Sequence, residues 1–230
     1  VIKNILNKLA IVTFSTSVFT FGISQLKANA TNLVTNSSFE AGNIPTFGYF
    51  VPAGSNLIPN WSVTQGNVNL HNSYWNSLGT GIADQSFGYN SVDLQGNGGA
   101  LGAIAQVINT VAGQKYNLSF ALAGNYYAFT GLDRVVEVFW SGQSLGTFTH
   151  KFNGSRTNLD WDLYNLEVTG TGSDQLKFVS LGSVTGYGAV IDNVSVEAIK
   201  TTTVPEPTAL IGLIAIGAIG TGAVLKQKQV

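Results

Sequence analysis

Between residues 31 and 199 apolar and polar positions alternate with a period of two, and clusters of Gly, Asn, Ser and Thr punctuate the runs. Tyr116, Leu118, Phe120 and Leu122 share one side of such a run, and Asn117, Ser119 and Ala121 take the other. Ile104, Gln106 and Ile108 alternate with Ala105 and Val107, which predicts a strand buried on both faces. Further strands are predicted at 135–140, 144–150, 161–168, 176–181 and 190–199, separated by turn signals such as Gly96-Asn97-Gly98-Gly99, Ser141-Gly142 and Gly170-Thr171-Gly172. Between Gly42 and Pro59 the alternation is weak and Pro45, Pro52 and Pro59 recur, so a long loop is expected there. This span shows no amphipathic helix of three turns. Many short strands with dense turn signals predict an all-β fold, an antiparallel β-sandwich of the jelly-roll type.

At both ends the alternation gives way to continuous apolar runs. Lys3 and Lys8 precede the stretch Leu9 to Ile23, and Ala28-Asn29-Ala30 follows it. This is the layout of a secretory signal peptide over 1–30, with a helical h-region and cleavage directed by Ala28 and Ala30. Position 1 is valine and the chain has no methionine, which reads as an alternative start codon and gives the expectation of a full precursor. Near the other end, the apolar run Thr208 to Leu225 would make a helix of roughly 27 Å, close to the hydrocarbon thickness of a bilayer. Lys226 and Lys228 close it, and the positive-inside rule puts them on the cytoplasmic side. The expected organisation is therefore a signal peptide at 1–30, a β-sandwich domain at 31–199 outside the cytoplasm, a spacer at 200–207, a transmembrane helix at 208–225 and a basic tail at 226–230.

Charge and cysteine content narrow the partners. Residues 31–203 carry eleven acidic and six basic side chains, a net charge of −5 against −1 for the whole chain. An acidic surface without a basic stripe argues against nucleic acid. The absence of cysteine excludes disulfides, thiolate metal sites and a cysteine nucleophile.

Pro205-Glu206-Pro207, the apolar run and the basic end stand in the order of a PEP-CTERM sorting signal, which the tail resembles. That resemblance implies an exosortase-type processing enzyme as a partner and a cell-surface or extracellular destination. The proline pair itself holds the motif extended and stops the helix from growing backwards. The middle of the chain resembles the choice-of-anchor C family. It does so at Asn32-Leu33-Val34-Thr35-Asn36-Ser37-Ser38-Phe39-Glu40, Ile58-Pro59-Asn60-Trp61, Ser91-Val92-Asp93-Leu94, Gly113 to Phe120, Leu122-Ala123-Gly124-Asn125 and Ile191 to Val196. Asn60 stands where that pattern usually has glycine. The resemblance implies a jelly roll of the galactose-binding-like type and a binding module rather than an enzyme.

In the last predicted strand, period-two geometry puts Asp192 on the face of Val190, Val194 and Val196, the core side, where a carboxylate needs compensation. In similar carbohydrate-binding modules a structural Ca2+ is held by a glutamate near the N-terminus and an aspartate in the last strand. The resemblance carries those roles to Glu40 and Asp192. Backbone N–H groups, Arg134 or Arg156 are the competing source of compensation. Sugar rings stack on aromatic side chains while amides bond their hydroxyls. Tyr74-Trp75 and Asn125-Tyr126-Tyr127 are the loop groups of that composition. Trp61, Trp140 and Trp161 are expected to pack inward. His71 and His150 lie in no nucleophile motif, and Asp160 and Asp162 read as solvated acids rather than a glycosidase pair. The sequence thus describes an exported protein that binds polysaccharide without catalysis. The alternative is a structural or adhesive matrix protein that recognises protein surfaces or itself.

Overall fold

A computed structural model describes residues 30–41, 48–71, 90–125, 127, 132–154, 159–182 and 187–200. Among them run eleven strands: β1 Tyr49–Pro52, β2 Ser62–Gln65, β3 Asn67–His71, β4 Ser91–Asp93, β5 Ala103–Asn109, β6 Lys115–Gly124, β7 Asp133–Trp140, β8 Gln143–Lys151, β9 Asp162–Thr169, β10 Ser173–Leu181 and β11 Ala189–Ala198. They form a six-stranded sheet in the order β1-β3-β4-β11-β6-β9 and a five-stranded sheet in the order β2-β5-β10-β7-β8. All the pairings are antiparallel. The result is a two-sheet sandwich of jelly-roll-like topology.

The main core lies between the sheets. Val68, Leu70, Val92, Leu118, Phe120, Leu122 and Ile191 from the larger sheet meet Ile104, Ile108, Val136, Val138, Leu176 and Phe178 from the smaller one. Trp61 caps this core as expected from its sequence, packed on Phe39 and Phe178, and its Nε1 donates to the Asn36 carbonyl at 3.0 Å. Asn60, standing where glycine was expected, has φ 68° and sits third in a four-residue turn closed by Trp61 N donating to Ile58 O at 3.0 Å. Asparagine tolerates that left-handed conformation, so the turn survives.

A smaller cluster, Ala123, Phe152, Leu159 and Val190 with Trp161 against it, covers part of the outer face of the six-stranded sheet. That face is therefore apolar where Phe152, Leu159 and Trp161 lie over it. Towards β3 and β4 it is polar, with Asn69, His71, Ser91 and Asp93 all buried.

Four sequence expectations change. Among the described residues the fold class is the sandwich alone, with neither flanking helix among them. The described residues contain no α-helix, and no helix among them is long and apolar enough to cross a membrane. The expected signal peptide with Ala28 and the expected transmembrane span 208–225 lie outside the described residues. The expected loop at 42–59 contains β1, an edge strand on which Pro52 is tolerated because no inner partner needs its N–H. β5 is not covered on both faces throughout, since Val107 is 60% exposed.

The fourth change concerns β11. Its register against β6 shifts between Asp192 and Ser195, at a bulge where Asn193 has φ 48°. One extra residue reverses the alternation. Ile191 before the bulge and Val194 and Val196 after it face the main core, whereas Val190 packs in the outer cluster. Asp192 therefore shares the face of Val190 and not that of Val194.

Candidate functional site

The polar part of the outer face opens into a cavity of about 310 Å3 lined by Gly48, Asn69, His71, Asn97, Asn125, Tyr127 and Tyr187. Strand alternation explains the floor. Val68 and Leu70 go to the core, which turns Asn69 and His71 outward. Gly48 has φ 72° and lies against the His71 ring, where a Cβ would stand 3.3 Å from Cε1. The glycine-rich turn at 96–99 brings Asn97 over the floor, and Asn69 Nδ2 donates to Asn97 Oδ1 at 3.2 Å. Asn69 Oδ1 is buried and has no hydrogen-bond partner. The walls are the two tyrosines, 48% and 41% exposed, with ring centroids 6.3 Å apart and planes inclined by 37°.

Beneath the walls lies Asp93, fully buried and opposite Asn69 and Val190 in its sheet. Its Oδ2 accepts from Asn125 Nδ2 at 2.5 Å, and its Oδ1 accepts from Gln95 N at 2.8 Å and Gly188 N at 3.1 Å. Asn125 Oδ1 in turn accepts from Tyr127 N at 2.8 Å. Burial pushes the Asp93 carboxyl up to about 7, against the pull of its three N–H donors and of the Arg134 charge. Arg134 is pushed below its ordinary value by its own burial, with Asp93 and Asp133 acting the other way. Burial lowers His71 to about 3, so its imidazole is neutral at ordinary pH. The cavity lining thus carries no charge at neutral pH, and it offers amides and aromatic faces.

Of the residues singled out from sequence, Asn125 and Tyr127 come together here, while Tyr74, Trp75 and Tyr126 lie outside the described residues. Asn69, His71, Asn97, Tyr187 and Asp93 were not expected as a site. The alternating Asn67-Val68-Asn69-Leu70-His71 contained the signal, because polar residues opposite a core face are either solvated or gathered into a site.

The calcium expectation is corrected. Glu40 Oε1 accepts from Asn90 N at 2.6 Å, and Asp192 Oδ1 accepts from Asn193 N at 2.6 Å, so backbone N–H groups serve both. Among the described residues no group of three or more His, Cys, Asp or Glu side chains could hold a metal ion. Asp160 and Asp162, read from sequence as solvated acids, differ in setting. Asp162 opens β9 and bonds His150 Nδ1 at 2.8 Å, whereas Asp160 lies before the strand with φ 56°.

The family model described as "Protein of unknown function (DUF642)" matches residues 32–197. No curated protein matches the chain. Among solved structures, the enzymatically active domain of bacteriophage CBA120 tailspike protein 4 is 17% identical with a TM-score of 0.44, covering 73% of this chain and 21% of that one. The module TmCBM61 in complex with β-1,4-galactotriose is 17% identical with a TM-score of 0.45, covering 74% and 100%. The K1 cleaved adhesin domain of Lys-gingipain from Porphyromonas gingivalis W83 is 17% identical with a TM-score of 0.45, covering 71% and 96%. The chain spans about a fifth of the tailspike's length. All three similarities lie below a TM-score of 0.5 and leave the function to be read from this chain's own side chains.

These matches correct the expected affiliations. The residues that resembled the choice-of-anchor C family belong to the DUF642 match, which ends before Pro205, Glu206 and Pro207. The motif itself lies outside the described residues. Nothing in the matches or the fold supports PEP-CTERM sorting, an exosortase-type partner, a membrane anchor or export to a cell surface, and those expectations are withdrawn.

Proposed function

The chain belongs to the DUF642 family, and from that premise we propose that this member is a binding module that holds a neutral saccharide in the pocket between β3, the 96–99 turn and the two tyrosines. The carrying observation is Asn69 Oδ1, a buried acceptor without a partner at the floor of a cavity walled by exposed aromatic rings. An unmet buried acceptor costs about 1–3 kcal/mol, a cost that a ligand hydroxyl removes by donating to it. The tyrosine faces suit the apolar C–H face of a sugar ring, and Asn97 and Asn125 add amides beside them. A cavity of this volume sits at the small end of ligand pockets and suits one or a few sugar units rather than a long chain lying flat. The uncharged lining favours neutral sugars over uronic acids. What supports binding over turnover is that the lining imidazole stays neutral and buried, and that the carboxyl bonded to the lining Asn125, Asp93, lies beneath it.

The full chain applied to a glycan array, followed by calorimetry on the best neutral oligosaccharide, tests this. Asn69→Ala and Tyr187→Ala are each expected to weaken binding about tenfold, one hydrogen bond or stacking contact's worth. An array with no bound glycan, or affinity unchanged in both variants, would overturn the proposal.

A further inference from the structure

Resting on that reading of the pocket, we propose that Asp93 is its positioning residue. As a carboxylate it holds the Asn125 amide in the orientation that anchors Tyr127, and on protonation it lets go, so that the pocket takes its saccharide only while Asp93 is ionised.

The donor and acceptor inventory forces this coupling. All three hydrogen-bond partners of Asp93, namely Gln95 N, Gly188 N and Asn125 Nδ2, are donors, which a carboxylate satisfies without an O–H of its own. Asn125 uses Nδ2 on Asp93 and Oδ1 on Tyr127 N, and its backbone N donates to Gly188 O at 3.0 Å. A proton on Asp93 Oδ2 turns that oxygen into a donor facing a donor. Flipping the Asn125 amide relieves the conflict but presents Nδ2 to the Tyr127 N–H, so the mismatch moves to the wall of the pocket. The same carboxylate also fixes Gly188, the residue after Tyr187. Both aromatic walls therefore hang from one buried charge.

Among the described residues the charged and titratable groups around Asp93 are few. Arg134 from β7 favours the carboxylate, and its Nε and Nη2 are buried without hydrogen-bond partners. Asp192 on β11 lies two residues from Val190, the register partner of Asp93. His71 on β3 is neutral. β6 contributes Ala123 and Gly124, which carry no charge. Burial places the Asp93 transition at about 7, within reach of ordinary solution conditions.

The test uses the isotope-labelled full chain. NMR follows the Asp93 carboxyl carbon, the Asn125 side-chain amide and the Tyr127 backbone amide through a pH titration, and one common midpoint is expected. Calorimetry with cellotriose and β-1,4-galactotriose as neutral probes should show affinity falling about tenfold per pH unit below that midpoint, as the competent fraction falls. Asp93→Asn should abolish the titration and release Tyr127. The exchange Asp93→Asn with Asn125→Asp should restore the Tyr127 anchor, because the amide at 93 donates to a carboxylate at 125 that still accepts from Tyr127. Asn125 and Tyr127 signals that stay fixed while Asp93 titrates, or an Asp93 signal with no midpoint near neutrality, would overturn the gate. Common titration of all three signals with neither sugar bound would uphold the gate and overturn the saccharide reading.

Discussion

Gly188 shows how tightly single residues build this pocket. A Cβ at that position would stand 2.7 Å from Asp93 Oδ1 and 2.6 Å from Gln95 Cβ, so only glycine lets its N–H reach the carboxylate. Gly188→Ala is expected to cost about 1–3 kcal/mol by overpacking and to weaken saccharide binding, with urea melts and calorimetry as the measurements. A variant that binds and melts like the parent would show that the loop adjusts freely. At this scale the sequence was legible in part. Asn125 and Tyr127 stood out because an amide next to aromatics among small polar residues has few structural uses. Asp93 and Tyr187 did not, because what defines them is a partner 32 residues away in one case and 60 in the other. Only the register of β4, β6 and β11 brings those partners together.

Strands and turns explain why the remaining site residues face where they do. β6 to β11 could be read from alternation because each has one face on a wide core, and that face needs apolar side chains at every second position. The bulge in β11 could not, since a lone asparagine in a strand resembles any other polar position until its φ is known. Asn193→Gly should leave stability within about 0.5 kcal/mol, and Asn193→Val should cost about 1–2 kcal/mol, the penalty of a left-handed conformation for a branched residue. Deleting Asn193 should be far worse, because it turns Val194 and Val196 out of the core; loss of the cooperative melt would report it. At the turns, Asp174 plays a comparable structural part. It accepts from Thr110 Oγ1, Ser141 Oγ, Thr171 N and Thr171 Oγ1, tying together the turns after β5, β7 and β9. Burial pushes its pKa up, but those bonds outweigh burial and hold it below the ordinary carboxylate value. Asp174→Ala should cost about 3 kcal/mol, and the stability it removes should be that part of the parent's stability which is lost as the pH falls through the carboxylate range.

Across the whole molecule, two buried groups of the outer face pull the pH dependence of stability in opposite directions. Asp93 goes from 3.8 to about 7 on folding, so between those values the folded state binds the extra proton and stability falls as the pH rises. His71 goes from 6.5 to about 3, so across that window the unfolded state binds the proton and stability rises with pH. Where the windows overlap, from about 4 to about 6.5, each slope approaches 1.4 kcal/mol per pH unit with opposite sign, and the sum is nearly flat. Urea melts across that range should therefore find the parent chain almost insensitive to pH. His71→Gln should uncover a stability that declines with rising pH, and Asp93→Asn one that climbs. The slopes can be compared even where a substitution lowers stability at every pH, because a constant offset does not change a slope. Equal slopes in all three proteins would mean that neither group titrates abnormally, and the pocket would then have no pH gate near neutrality.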